Sequence, residues 1–277
     1  MGESKDMSFW DHLDDLRATL FRSAIGIVIC MVGVFLCKSF VFDSVIFPPR
    51  TSDFMLYRWL CKLGELFHVP DFCPEPFCID IININLASQF FVHMSTSFWI
   101  GLIIAFPYVV YQLWLFISPA LYDHEKRNMT RAFLSVSALF YIGVVVGYIF
   151  VFPLTIKFLG TYKVSEMVPN QISLNSYIGM LTSLVLIMGL VFEMPVLAYV
   201  LSRLGLLSRK FLKKYRRHAV VVLLFAAAII TPSADAFTMF MVAIPLYMLY
   251  EFSILVCVKE KPEEDEKSEN VVLRDNS

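Results

Sequence analysis

Long apolar runs, separated by short polar stretches, constrain this chain more than any other feature of its sequence. The chain is 58% hydrophobic and only 17% charged, whereas soluble domains are near a quarter charged. Backbone polar groups find no water in hydrocarbon, so each run must form a helix or belong to a closed barrel. The runs lack the alternation that is typical of barrel strands. We therefore predict an all-α polytopic membrane protein.

Six membrane-spanning helices are predicted, and an amphipathic helix at the membrane surface leads into the first. The six predicted spans are residues 20–40, 86–117, 131–152, 174–201, 219–230 and 236–250. The last two are short, since 12 and 15 residues give roughly 18 and 22 Å of helix. Pro153 is expected to end the third span because proline interrupts helix hydrogen bonding. Gly143 and Gly147 form a small-xxx-small pattern, which permits close helix packing.

Two polar segments lie outside these spans. The loop of residues 41–85 is long enough to carry structure of its own, and it contains Cys61, Cys73 and Cys78. In an oxidising compartment two of these cysteines would be bridged, and Cys73 with Cys78 closes the smallest loop; three free thiols are the alternative. Residues 259–277 hold seven acids and four bases. We predict a membrane domain over 1–258 and a disordered acidic tail over 259–277.

The distribution of basic residues predicts the orientation. Six spans place both termini on one side, and 17 of the 23 Lys and Arg residues fall on that side, against six on the other. Cytoplasmic loops of membrane proteins carry the excess of basic residues. Both termini are therefore predicted to be cytoplasmic. The 41–85 loop is then outside.

Acidic side chains on this basic cytoplasmic face are the first candidate site. Glu125 lies on a polar elbow at residues 116–127, and Asp15 lies near His12 on the N-terminal helix. A carboxylate matches the planar fork of an arginine side chain, so these acids are candidates for binding a guanidinium. For Asp15 and His12, a solvated helix face is the alternative interpretation.

Glu193 is the second candidate, because it is the ionisable residue that lies deep in a predicted span. A carboxylate at membrane depth costs a few kcal/mol, about 3 kcal/mol on insertion scales, and should face a cavity, a partner or another helix. Two interpretations remain open. One is a neutral Glu that bonds to a neighbouring helix, and the other is a functional group.

Five motifs resemble the TatC family, the multi-spanning subunit of the twin-arginine protein translocase. They are Phe-Trp-Asp-His-Leu-Asp-Asp-Leu-Arg at 9–17, Phe-Ile-Ser-Pro-Ala-Leu-Tyr-Asp-His-Glu-Lys-Arg at 116–127, Phe-Tyr-Ile-Gly at 140–143, Phe-Glu-Met-Pro at 192–195 and Thr-Pro at 231–232 with Asp235. They occur in the family's order over residues 9–252. The 116–127 motif is highly specific.

The resemblance implies a receptor that is not an enzyme and needs no cofactor or metal. It implies a Sec-independent translocase subunit of the bacterial cytoplasmic (inner) membrane that binds twin-arginine signal peptides. Its implied partners are TatA/TatB-type single-span proteins, further TatC copies and the lipid bilayer, with no nucleic acid, and the implied energy source is the proton-motive force. The implied signal-peptide site comprises Glu125, Asp15, His12, Arg17 and Phe116. The family usually has Glu at the position of Asp15.

Further family positions fall elsewhere in the chain. The resemblance places Glu193 in the concave face as a partner contact, with Tyr148, Asp235 and Pro48 as additional matches. A proton-coupled small-solute transporter that uses Glu193 is the alternative function, but it predicts inverted repeats, and the two halves show no convincing similarity. A purely structural scaffold would leave the acids of the elbow without a role.

Overall fold

The computed structural model describes residues 9–67, 73, 76–117, 123–165, 167–168, 170–203, 205–231 and 235–257. The predicted tail at 259–277 lies outside these residues. Within them, five helical stretches are long and apolar enough to cross a membrane. These stretches are His12–Leu36, Ser88–Phe116, Leu134–Thr161, Leu174–Arg203 and Ala236–Val256. The all-α membrane fold is therefore confirmed.

The N-terminal helix is continuous with the first span. Helix α1 runs without interruption over Phe9–Leu36, so the predicted N-terminal helix leads into the first span without a break. The physical reason is local, because no proline or glycine occurs between Phe9 and Ala24 to break the helix. His12 and Asp15 therefore lie near the N-terminal end of a helix that is long enough to cross the membrane. Helix α3, Ser88–Ile117, packs along α1.

A small folded unit, here called the cap, covers the far end of α1. It consists of a π-helical turn Phe40–Ile46, a 3-10 turn Pro48–Arg50, helix α2 over Met55–Phe67, and strand β1 at Ile81–Ile82. Strand β1 pairs in parallel with β2, Ile172–Ser173. The long loop thus carries structure of its own, as its length predicts.

The cap is tied to the spans by tyrosine hydroxyls. Tyr57 is almost fully buried and donates a 2.6 Å hydrogen bond to the Pro153 carbonyl, and Tyr177 donates to the Ile46 carbonyl at 2.7 Å. Burial raises the pKa of the Tyr57 phenol far above its usual value, so the hydroxyl keeps the proton that it donates.

The disulfide of the cap differs from the prediction. Cys61 is bonded to Cys73, and Cys78 has a free, exposed thiol. Sequence separation favoured Cys73 with Cys78, but the backbone at Cys78 forms an antiparallel bridge with Thr51. Cys61 instead lies on helix α2 at a position where its sulfur reaches that of Cys73. The alternative of three free thiols is also wrong.

The third span continues past Pro153. Helix α4, Asp123–Val146, passes into a π-helical turn at Gly147–Val151 and then into α5, Phe152–Thr161. Pro153 lies in the first turn of α5, where its missing N–H is not required by the helix. The prediction that Pro153 ends this span is therefore wrong.

The C-terminal half contains the remaining helices. They are α6 Leu174–Val191, α7 Met194–Arg203, α8 Arg209–Lys214, α9 Arg216–Ile230 and α10 Ala236–Val256. Helix α9 is short, as predicted. Helix α10 is longer than predicted because Glu251 does not end it: its carboxylate accepts a 2.5 Å hydrogen bond from Arg216 on α9. The pairing allows a charged residue to continue an apolar helix.

Glycines allow α4 and α6 to cross at close range. A Cβ atom at Gly143 would lie 2.5 Å from the Met188 carbonyl oxygen, and one at Gly147 would lie 3.0 Å from the Met188 Cβ. On α6, a Cβ at Gly189 would lie 2.8 Å from the Phe140 ring. The small-xxx-small pattern therefore marks a genuine helix contact. This crossing belongs to the main hydrophobic core. The core contains buried side chains from α6, among them Met188, and from α5 and α10.

Candidate functional site

The N-terminal helix meets the elbow through an aromatic contact. The His12 ring on α1 stacks on the Phe116 ring at the end of α3, with centroids 4.4 Å apart and planes 24° apart. The contact exists because α1 and α3 run antiparallel, which brings the start of α1 to the end of α3. Two residues that are 104 positions apart in the chain thus form one surface.

Asp15 and Arg17 lie on the same end of α1 and are both exposed. The Arg17 guanidinium lies 5.7 Å from the centroid of the Phe21 ring, one helical turn further along. Asp15 has no ion-pair partner among the described residues. Its carboxylate is therefore open to an incoming cation.

Glu125 lies in the first turn of α4, which begins at Asp123. Acids in the first turn of a helix are favoured by the helix dipole. Residues 118–122 of the elbow and the side chains of residues 117–133 lie outside the described part of the structure, and so does the carboxylate of Glu125. Its backbone follows Phe116 by nine residues. Glu125 is therefore on the end of the bundle that carries the His12–Phe116 stack.

Glu193 lies at a break between two helices of the fourth span. Helix α6 ends at Val191 and α7 begins at Met194, so Phe192 and Glu193 form the turn between them. Pro195 follows in the first turn of α7, where a proline is compatible with the helix. The sequence Phe-Glu-Met-Pro thus produces an irregular segment inside a predicted span.

The Glu193 carboxylate is buried at this break. Both of its oxygens are inaccessible to solvent, and neither accepts a hydrogen bond of good geometry from the described residues. The backbone of Phe140 on α4 lies near this carboxyl group. A buried carboxyl group without a partner is costly.

The other candidate residues lie at the cap end of the molecule. The Tyr148 hydroxyl donates a 2.5 Å hydrogen bond to the Val45 carbonyl, and its ring packs against Phe54. Pro48 begins the 3-10 turn of the cap. Asp235 caps α10 by accepting a 2.8 Å hydrogen bond from the Thr238 N–H. These three residues hold the cap and a helix end in place.

The candidate residues thus separate into three places. His12, Asp15, Arg17 and Phe116 lie together at one end with the Glu125 backbone, Glu193 lies inside the bundle, and the remaining three lie at the opposite end. The sequence did not predict the His12–Phe116 stack or the Arg216–Glu251 ion pair. Their partners are far apart in the chain, and only the aromatic or charged character of each residue was visible beforehand.

Known proteins place this architecture in a family. A family model described as "Sec-independent protein translocase protein (TatC)" matches residues 11–245. The chain belongs to the TatC family. This match confirms the resemblance drawn from the five motifs. It also makes the chain a multi-pass membrane component of a translocase, not an enzyme.

Relatives with the TatC name are similar along nearly their whole length. The protein of Blattabacterium sp. subsp. Periplaneta americana is 37% identical over 256 residues, which are 92% of this chain and 96% of the relative. The Helicobacter pylori protein is also 37% identical, over 94% of this chain and 90% of its own length.

A solved structure shows the same fold. A crystal structure described as "Twin Arginine Translocase Receptor- TatC in DDM" superposes with a TM-score of 0.67 at 31% sequence identity. The superposition covers 89% of this chain and 99% of that chain. The TatC fold therefore extends over most of this chain.

Proposed function

We propose that this chain is the receptor for twin-arginine signal peptides in a bacterial cytoplasmic membrane, with both termini in the cytoplasm. The observation that supports the proposal best is the stack of His12 on Phe116. It joins the acid-bearing end of α1 to the elbow, and Glu125 follows the elbow on α4. Carboxylates from two helices then face one arginine pair.

The chemistry of arginine favours this site. A guanidinium donates two parallel hydrogen bonds to a carboxylate, and it also stacks on aromatic rings. In the proposed complex, Glu125 and Asp15 bind the two arginines while His12 and Phe116 provide a flat aromatic surface beside them. Arg17 lies on the same end of α1, where its guanidinium is beside the Phe21 ring.

Binding of a signal peptide to the purified protein tests the proposal. A peptide with Arg-Arg is expected to bind at least about tenfold more tightly than the same peptide with Lys-Lys, because lysine does not form the bidentate contact. Photocrosslinkers at residue 125 should capture the Arg-Arg peptide. Equal binding of the two peptides would exclude the receptor role and favour a solute transporter.

We further propose that Glu193 contacts a single-span TatA/TatB-type partner, and that the assembled translocase, with further TatC copies, moves folded cargo by using the proton-motive force. Glu193 is half-buried at the helix break and its carboxylate oxygens accept no hydrogen bond from the described residues, so a partner helix that packs against this turn and opens it would supply the missing polar contact. Such contacts are favourable inside a membrane because neither group has water available. The break between α6 and α7 gives the partner an irregular surface to recognise.

The substitution Glu193→Gln is expected to slow export several-fold while leaving signal-peptide affinity within about twofold of wild type. Glutamine keeps the side-chain volume and a hydrogen-bonding carbonyl but loses the ionisable oxygen. Export assays and peptide titrations of the same variant check the two parts. Glu65→Gln, on the exposed face of α2, is the matched control. If Glu193→Gln blocked peptide binding itself, the separation of the two sites would be wrong.

A further inference from the structure

A cavity of about 380 Å³ lies where the cap meets the ends of α1, α3 and α6. Its lining combines charged and apolar side chains. Lys38 and Arg50 supply positive charge, Asp43 supplies a negative charge, and Phe42 and Phe47 form apolar walls. This composition differs from that of the proposed arginine site at the opposite end of the bundle, which offers the carboxylate of Asp15.

The two cations of the cavity have no carboxylate partner in the described part of the chain. Lys38 is exposed and follows the last residue of α1 by two positions. Arg50 is half-buried, and its guanidinium lies 5.7 Å from the centroid of the Phe47 ring. Cations held beside an apolar wall without a carboxylate in ion-pair contact attract an anion from outside.

The position of the cavity relative to the membrane indicates which anion is available. The apolar surface of α1 ends at Leu36, and the side chains of Leu36 and Phe40 are 78% and 68% exposed. Phe90 and Phe91 are exposed on the first turn of α3. Lys38 therefore lies at the boundary between the hydrocarbon core and the lipid headgroups. A lysine at this boundary extends its ammonium group toward the lipid phosphates.

We propose that this cavity binds the headgroup of a phospholipid from the leaflet on the cap side. Lys38 and Arg50 bind the phosphodiester, and Asp43 pairs with the ammonium of an ethanolamine headgroup. Phe42 and Phe47 line the glycerol region, and the acyl chains lie along the exposed apolar side chains around Leu36 and Phe40. The bound lipid would fill the gap between the cap and the bundle.

A lipid explains the lining better than a free phosphate ion. A free anion would need the two cations alone, whereas the cavity also offers an acid and apolar walls that a small anion would not use. An acid near a bare phosphate would weaken its binding by like-charge repulsion. An ethanolamine headgroup uses both signs of charge. Its chains use the adjacent apolar surface.

Native mass spectrometry of the delipidated full chain in detergent, titrated with phosphatidylethanolamine, tests the proposal. The double variant Lys38→Gln/Arg50→Gln is expected to lower the affinity of the tightest-bound lipid at least about tenfold, as for the loss of a charge-assisted hydrogen bond. The control Arg58→Gln/Lys62→Gln makes the same charge change on exposed positions of α2 and should bind as wild type does.

Further arms separate the possible anions and report on folding. Asp43→Asn should reduce the preference for phosphatidylethanolamine over phosphatidylglycerol, and Lys38→Arg should retain lipid binding, since it keeps the charge. Millimolar inorganic phosphate should not displace the lipid; displacement would identify a soluble-phosphate site and overturn the proposal. Equal lipid affinity in the two double variants would overturn it as well.

Discussion

Replacing Glu125 with alanine is expected to weaken the binding of twin-arginine signal peptides strongly and to abolish export of their cargo while the protein still inserts and folds. A bidentate contact between a carboxylate and a guanidinium comprises two charge-assisted hydrogen bonds, so its loss costs about 3 kcal/mol, or roughly a hundredfold in affinity. Peptide titration and an export assay measure the two effects.

The fold should tolerate Glu125→Ala because α4 is packed through a different region. Phe140 and Gly143 of α4, and Gly147 in the π-helical turn that follows, make close contacts with α6, at least four turns beyond Glu125. Glu65→Ala, which removes an exposed acid from α2 at the opposite end, is the control and should leave binding unchanged. Export at the wild-type level by Glu125→Ala would remove Glu125 from the proposed site.

Asp15 provides an internal comparison for the same site. Its side chain is one methylene shorter than the Glu that is usual in the family, and it is exposed at the end of α1. We expect the exchange Asp15→Ala to weaken binding less than Glu125→Ala does. This order follows from the shorter reach of aspartate toward an arginine held at the elbow.

The second large effect is expected for Gly143→Ala, which should strongly destabilise the crossing of α4 and α6. The added Cβ would lie 2.5 Å from the Met188 carbonyl oxygen and 2.8 Å from Phe192. One of these obstacles is backbone, so the helices must separate. Overpacking costs about 1–3 kcal/mol, which in a chain of this size lowers the unfolding midpoint by roughly 3–10 °C.

The structure supplies a matched control for this glycine. A Cβ at Gly179 on α6 meets nothing within 4 Å, and alanine normally stabilises a helix relative to glycine by about 0.5–1 kcal/mol. Gly179→Ala should therefore unfold at the wild-type temperature or slightly above it in detergent. If Gly143→Ala behaved in the same way, the close crossing of α4 and α6 would be contradicted. Glu193 adjoins Phe192, so export should fall with Gly143→Ala as well.

Local patterns in the sequence predicted the features that depend on neighbouring residues. The apolar runs predicted the long helices, the pair Gly143 and Gly147 predicted a close helix contact, and five motifs indicated the TatC family. The length of the 41–85 loop predicted a folded cap. Each of these follows from periodicity, length or a short motif, which are properties that a chain carries before it folds.

Predictions failed where a local rule met a tertiary constraint. Pro153 was expected to end a helix, but the π-helical turn at Gly147–Val151 places it in the first turn of a new one. Glu251 was expected to limit α10, but Arg216 from α9 neutralises it. Cys73 was expected to pair with its nearest cysteine, but α2 brings Cys61 to it. In each case the deciding partner comes from another element or turn.

The sequence by itself determined that this chain is a helical membrane protein of the TatC family with acids at a basic elbow. Only the tertiary structure decided that His12 lies on Phe116, that Glu193 is buried at a helix break, and that Lys38 and Arg50 share a cavity. The physical reason is the separation along the chain of the residues that interact. Helix formation depends on residues a few positions apart, whereas these sites require elements that are tens to more than a hundred residues apart to pack together.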